Sequence, residues 1–254
     1  MAPGIPRKQE GDSNVNDVSV VRKRKSNTCQ IFKKEVQISG TQMAVHMAGV
    51  PDEYNYQLAH RTLELRRELG MAVYAGVQIT AGGAGGSDSV IRSMDGLYNR
   101  VRRSDVGGGA TQLDTTSVAF SEDVINGLYQ LIYAQGGEAN FVVGTQQQMR
   151  KFSSLYKDKI RLSPSDRQRG VFVTKFLTDM GVEVDLIIDR WAKDGAVTMG
   201  DERRLRLVPL KGRAWQAVPL AKQGDDFRGM IVGEYTLEIR NAAQCFAQAS
   251  KLNA

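Results

Sequence analysis

Residues 52–75 restrict this chain more than any other stretch, because apolar side chains recur there at helical spacing for about six turns. Pro51, Asp52 and Glu53 open the run. Asp52 suits an N-cap, and the acidic pair suits the positive end of a helix. Tyr54, Leu58, Leu65, Leu69 and Ala72 share one face, while Glu64, Arg66, Arg67 and Glu68 decorate the rest. Arg61 falls near the apolar stripe, which makes it a candidate contact with another copy of the chain. A helix over 52–75 is about 36 Å long, more than a small core can hide. The fold is therefore expected to be built along it or to present it to other subunits.

The 254 residues are 41% hydrophobic and 24% charged, a globular balance with enough apolar material for one large domain or two modest ones. No apolar run reaches the ~18–20 residues that span a bilayer. The opening MAPGIPRKQEGDSN also lacks a signal peptide's apolar core, so neither membrane insertion nor secretion is expected. Cys29 and Cys245 are too few for a disulfide framework, and the two histidines, His46 and His60, form no HExxH or HxH. No metal site and no cofactor are expected. The net charge is +6, and the first 34 residues hold eight basic against three acidic side chains. A nearly neutral body therefore follows a basic leading segment.

That segment contains Arg22, Lys23, Arg24 and Lys25. Two readings stay open: contact with nucleic acid, or a solvated strand pairing with an acidic neighbour. Residues 29–39 alternate as a strand, with Phe32, Val36 and Ile38 on one side along with Lys34. Glycine runs at 82–86 and 107–109 lack the lysine and spacing of a phosphate loop, so they read as flexible connections. Between them, Ser89 to Arg103 carries a short helical pattern through Ile91, Met94, Leu97, Tyr98 and Val101. Arg100, Arg102 and Arg103 flank it. From Thr115 the chain reads as an α/β unit. A helix starts at Ser121 and stops at Gly136-Gly137, a buried strand covers 141–143, and Thr145 caps a helix that buries Met149, Phe152 and Leu155. Strands follow at 171–178, 182–188, 205–210 and 228–240.

Chemistry is sparse. Asp185 and Asp189, and the pair Asp225-Asp226, sit at a strand end and a turn with no histidine nearby. No GxSxG elbow or kinase signature is present. No catalytic residue is assigned, and the expectation is a protein whose function is its contacts rather than an enzyme.

Several blocks are more specific: NTCQIFKKEVQISGTQMAV at 27–45, YQLAHRTLELRRELGMAVYAG at 56–76, IRSMDGLYNRV at 91–101, FVVGTQQQMRKFSSL at 141–155 and VGEYTLEIRNAAQ at 232–244. Together they resemble the major capsid proteins of tailed bacteriophages with a Hong Kong 97-like fold. The resemblance implies an α+β fold in four segments. Residues 1–39 would be an N-terminal segment and extended-loop remnant. Residues 40–112 would form the peripheral domain, with spine helix 52–75 and Gly-rich loop 82–109. Residues 113–204 would form the axial domain, and 205–254 would return to the peripheral domain. It also implies hexamers and pentamers of the chain, an icosahedral head around double-stranded DNA bound non-specifically, assembly in the host cytoplasm, and portal, scaffolding or decoration proteins as further partners. Arg22, Lys23, Arg24, Lys25, Arg61, Arg100, Arg102 and Arg103 are the candidate inter-subunit contacts. One departure is expected: the block begins several dozen residues earlier in such a chain than in family members. The alternatives are an encapsulin-type nanocompartment shell and a nucleic-acid-binding module acting through the basic segment. A third, a metal-dependent enzyme, would rest on Asp185 and Asp189.

Overall fold

In the computed structural model, which describes residues 25–45, 49–78, 91–102, 112–114, 118–155 and 174–253, the alternation at 29–39 becomes strand β1 (Gln30–Ser39). Phe32, Val36 and Ile38 are buried, and Ile31, Lys33, Glu35 and Gln37 face out. Ser39 caps a short helix, α1 (Gly40–Ala44). The long helix follows as α2 (Glu53–Ala75), whose first turn is closed by the Asn55 N–H donating to Asp52 Oδ1 at 3.1 Å. It buries Leu65, Leu69, Ala72 and Tyr74.

What α2 packs on is organised by β9 (Asp226–Ile239). β1 runs antiparallel along one edge of it. The other edge is shared end to end by β7 (Leu205–Pro209) and β8 (Gln216–Leu220). Phe32, Leu65, Leu69, Ala72, Met94, Ile231 and Tyr235 form the core between helix and sheet. Lys34 rises from the same face of β1 into two carboxylates of α2, Glu64 at 2.8 Å and Glu68 at 2.7 Å. Arg61 Nη1 also donates to both oxygens of Glu64.

A second, mixed sheet has the order β2 (Gln112–Asp114), β10 (Phe246–Ser250), β6 (Ala196–Gly200), β3 (Phe141–Gly144), β5 (Glu183–Ile188) and β4 (Lys175–Leu177). Helices α4 (Glu122–Ala134) and α5 (Gln146–Leu155) cover one face through Val124, Leu128, Ile132, Met149 and Phe152. On the other face, Tyr74 at the end of α2 and Leu97, Tyr98 and Val101 of α3 (Leu97–Arg102) meet Phe141, Val143 and Phe246. In β3 alternate residues serve alternate cores, which is why it reads as continuously apolar. Helix α4 stops where the sequence predicts: Gly136 takes a φ of 78° and the Gly137 N–H bonds back to the Ile132 carbonyl at 3.0 Å. Before α5, Thr145 and Gln148 exchange bonds, each side chain accepting the other's backbone N–H. After α6 (Ala242–Cys245) the chain runs into β10.

Three expectations differ from the structure among the described residues. Of the helical pattern at 89–103, residues 91–102 are described, and among them the helix begins at Leu97. Met94 is buried, but Ile91 is 78% exposed. The reason is polar. Asn27 Nδ2 donates to the Asp95 carbonyl, the Asp95 N–H donates to Asn27 Oδ1, and the Asp95 carboxylate accepts the Gln78 N–H at 2.8 Å. The Gly96 N–H is taken by the Gly76 carbonyl, so this backbone is engaged outside any helix. Leu155, the last residue of α5, lies past its buried face and is exposed. Of the strand expected at 171–178, residues 171–173 lie outside the described residues, and Lys175–Leu177 forms the edge strand β4. Finally, residues 205–254 divide: β9 lies in the four-stranded sheet, whereas β10 joins the six-stranded one. Ala247 and Ala249 of β10 sit fully buried in the α4 core, where larger side chains would push the helix away. The glycine runs at 82–86 and 107–109 and the polar loop at 157–170 lie outside the described residues.

Gly70 lies inside α2 with nothing within 4 Å of where a Cβ would stand, whereas a Cβ at Gly137 would overlap the Gln244 carbonyl. Gly70→Ala should therefore stabilise the subunit by about 1 kcal/mol, and Gly137→Ala should destabilise it by about 1–3 kcal/mol. Urea unfolding of each variant measures both. The hydrogen bonds from Arg61 first, and then Lys34, hold the Glu64 carboxyl down from 4.5 to about 2. A depressed carboxyl contributes stability above its unfolded pKa and loses it as pH falls through the folded one. Wild type and Glu64→Gln should therefore differ in urea midpoint at pH 5 and converge as pH falls to about 2. A midpoint gap that stays constant over that range contradicts the assignment.

Candidate subunit interface

Alternation in β1 and the flank of α2 together leave apolar side chains uncovered. Ile31 on the outward face of β1, Met71 on α2 and Val77 just beyond it are 44%, 48% and 53% exposed. They line an open groove of about 430 Å³, floored by Phe32, Ala72 and Ala75 and edged by Lys33 and Glu68. On the six-stranded sheet, Leu177 on edge strand β4, Ile187 and Ile188 at the end of β5 and Trp191 in the turn that follows are also exposed.

Four of the eight charged candidates lie among the described residues. Lys25 is exposed where the described chain begins. Arg100 Nη1 donates to the carbonyl of the next residue, Ser26, at 2.8 Å, which brings the start of the chain onto α3. Arg102 is exposed at the end of α3, and its carbonyl accepts from Gln112 Nε2. Arg61 is far along α2, and its guanidinium is turned onto Glu64 rather than held clear of its own helix. Arg22, Lys23, Arg24 and Arg103 lie outside the described residues. Of the four described candidates, Lys25, Arg100 and Arg102 thus gather about α3, and Arg61 stands apart on α2.

Sequence reasoning missed two polar centres. Asn27 joins three segments: besides Asp95, its Nδ2 donates to the Leu237 carbonyl in β9 at 2.9 Å, and its Oδ1 accepts the Thr28 N–H. Glu234 is a carboxylate buried on β9, with Arg213 Nε at 2.5 Å and Arg92 Nη2 at 3.7 Å. A charge inside the apolar run MIVGEYTLEI was a visible signal, but its partners come from distant loops and nothing in the spacing names them.

The acidic pairs do structural work. Asp189 Oδ1 accepts the Trp191 N–H at 2.9 Å and shapes a turn, and Asp185 lies 3.8 Å from Lys175. Asp226 accepts from Gln37 and Arg228. Among the described residues no three His, Cys, Asp or Glu side chains group closely enough to hold a metal ion. Burial pushes the thiols of Cys29 and Cys245 above their ordinary range, the opposite of what a nucleophilic thiolate needs. No described helix is long and apolar enough to cross a membrane.

Comparison with solved structures finds the same architecture elsewhere. The capsid subunit of cyanophage A-1(L) matches with a TM-score of 0.62 at 8% identity, covering 89% of this chain and 78% of that one. A chain from Microbacterium phage Oxtober96 matches at 0.59 and 13% identity over 97% and 81% of the two chains. A chain of the holo-SrpI encapsulin complex from Synechococcus elongatus matches at 0.55 and 12% identity over 89% and 74%. At such identities the likeness is one of fold. Comparison with curated proteins returns no match. The sequence matches the family described as SU10 major capsid protein over residues 3–251. Because that match runs through both sheets and the helix between them, the chain belongs to the SU10 major capsid protein family and carries the Hong Kong 97-like fold of tailed-phage capsids.

Proposed function

We propose that copies of this chain assemble through hexamers and pentamers into an icosahedral shell around double-stranded DNA, and that the protein does this by contact alone, without catalysis. The observation that carries the reading is the uncovered apolar groove of Ile31, Met71 and Val77 on a chain of a capsid family. Apolar surface gathered at one place, rather than scattered singly, marks a surface that is covered in the working assembly. In this reading residues 40–112 form the peripheral domain, 113–204 the axial domain around the local symmetry axes, and 1–39 the extended loop over a neighbour. Residues 205–254 return to the peripheral domain as far as β9 and end in the sheet of the axial domain.

Lys25, Arg102 and the basic run before them are then contact residues, and Arg61 and Arg100 reach a neighbour only by sharing carboxylates or carbonyls they already hold. Assembly in a host cell, and portal or decoration proteins as further partners, follow from the same reading. The encapsulin likeness offers a shell with a different content, and the content is what an experiment separates.

Purified at near-physiological salt, the protein should sediment far above the 28.0 kDa of one chain and appear as closed particles by electron microscopy. Particles from infected or expressing cells should retain DNA after nuclease treatment. A sharp single-chain boundary at high concentration contradicts assembly, and nuclease-treated particles that hold protein but no nucleic acid contradict the DNA-enclosing role.

A further inference from the structure

Strand β1 has one edge that β9 does not use. The Gly40 N–H that follows β1 donates to the Asp225 carbonyl, and in the register of β1 on β9 this turns the backbone of the even-numbered residues to β9. The N–H and C=O groups of Ile31, Lys33, Glu35 and Gln37 therefore point the other way, and among the described residues no strand pairs with that edge. A ten-residue edge left open is a template for another strand. The groove of Ile31, Met71 and Val77 runs along its first part, from Gln30 to Lys33, with Met71, Ala72 and Ala75 of α2 as its wall. Free backbone on one side and an apolar wall on the other are what taking up an extended segment by strand addition requires.

We propose that this edge receives residues 15–21 of a second copy of the chain as an added strand. The proposal rests on the reading of the protein as a shell subunit and says where one subunit grips the next. Residues 15–21 read VNDVSVV, four valines in seven positions, and lie outside the described residues. β-branched side chains favour an extended, half-buried strand. With Asp17 kept off the apolar wall, Val18 and Val20 share the side that meets α2, while Asp17 and Ser19 fall beside Ile31 and Lys33. The same copy does not reach its own groove with this segment. Its described chain begins at Lys25, with Ser26 held to α3 by Arg100 and Asn27 tied to the Leu237 carbonyl of β9. A turn back through 22–24 would stand residues 18–21 beside 25–28, short of Gln30. The 24 residues that precede Lys25 reach up to about 80 Å when extended, enough to engage a neighbour.

The test replaces Met71 with the photo-crosslinking residue p-benzoylphenylalanine in the full-length protein, irradiates the native assembly and resolves the products on a denaturing gel. A band at twice the 28.0 kDa chain mass is expected, with its cross-link mapped by mass spectrometry to residues 15–21. Lys33→Pro removes one N–H from the free edge and none from the β9 ladder, so it should lower that band about tenfold. Lys33→Gln keeps the N–H and should lower it no more than about twofold. Val18→Asp/Val20→Asp leaves β1 untouched and should lower the band as far as the proline variant does, which decides the matter if circular dichroism shows Lys33→Pro misfolded. A cross-link that stays within one chain or reaches another segment of the neighbour overturns the proposal, as does a band that Val18→Asp/Val20→Asp leaves at full strength. Closed particles without the band overturn this inference and leave the shell reading standing. The band without particles supports it and overturns the shell reading, and a chain that gives neither overturns both.

Discussion

The structure depends on α2 being buried by two different sheets. Leu65, Leu69 and Ala72 close the core against β1 and β9, and only two residues past Ala72 the Tyr74 side chain enters the core of the six-stranded sheet. There its hydroxyl lies 3.3 Å from Thr198 Oγ1 of β6, and burial pushes that hydroxyl's pKa up to about 12. A continuous helix is stiff, so fixing both parts of it fixes how the sheets stand relative to each other. Asn27 then ties the chain before β1, the segment after α2 and β9 into one knot of backbone hydrogen bonds. Orientation of the two halves is thus set within the subunit, before any neighbour arrives.

Charge plays a more local part. The Lys34 ammonium sits between Glu64 and Glu68, and Arg61 closes on Glu64 from the other side. Such half-exposed groups gain little from a single pair, but here four of them share one cluster that locks β1 to the helix. The consequence for recognition is direct. An arginine already engaged with its own chain can contact a neighbour only by dividing that engagement, so Arg61 and Arg100 contribute less net attraction than their charge suggests. Apolar surfaces such as the Ile31–Met71–Val77 groove have no such competing partner.

How much of this was legible follows from the range of each interaction. The helix α2, its Asp52 cap, the alternation of β1, the Gly136-Gly137 stop and the Thr145 cap all rest on residues within a few positions of each other, and all are readable in order along the chain. β10 was not, because FAQAS owes its strand state to α4 packing close against Ala247 and Ala249, and small residues carry no β signal of their own. The helical reading failed over 91–96 because an asparagine 68 positions away from Asp95 captures that backbone. The candidate contacts were the least legible part. A run of cations announces charge, but whether each side chain is already spoken for depends on partners such as Glu64 and Ser26 that composition does not reveal.

A fold shared at 8% identity over 89% of the chain shows what kind of information it requires. At that identity few positions can be fixed by residue type. What has to persist is pattern: an apolar stripe long enough for two sheets, alternation in β1, and a strand, β9, long enough to carry β1 on one edge and two short strands on the other. Many sequences satisfy those demands, since cores accept substitution where volume and periodicity are kept. A capsid subunit is for this reason recognisable by the spacing of its apolar residues and the lengths of its elements. Its individual contacts with neighbours are free to be rewritten from one shell to another.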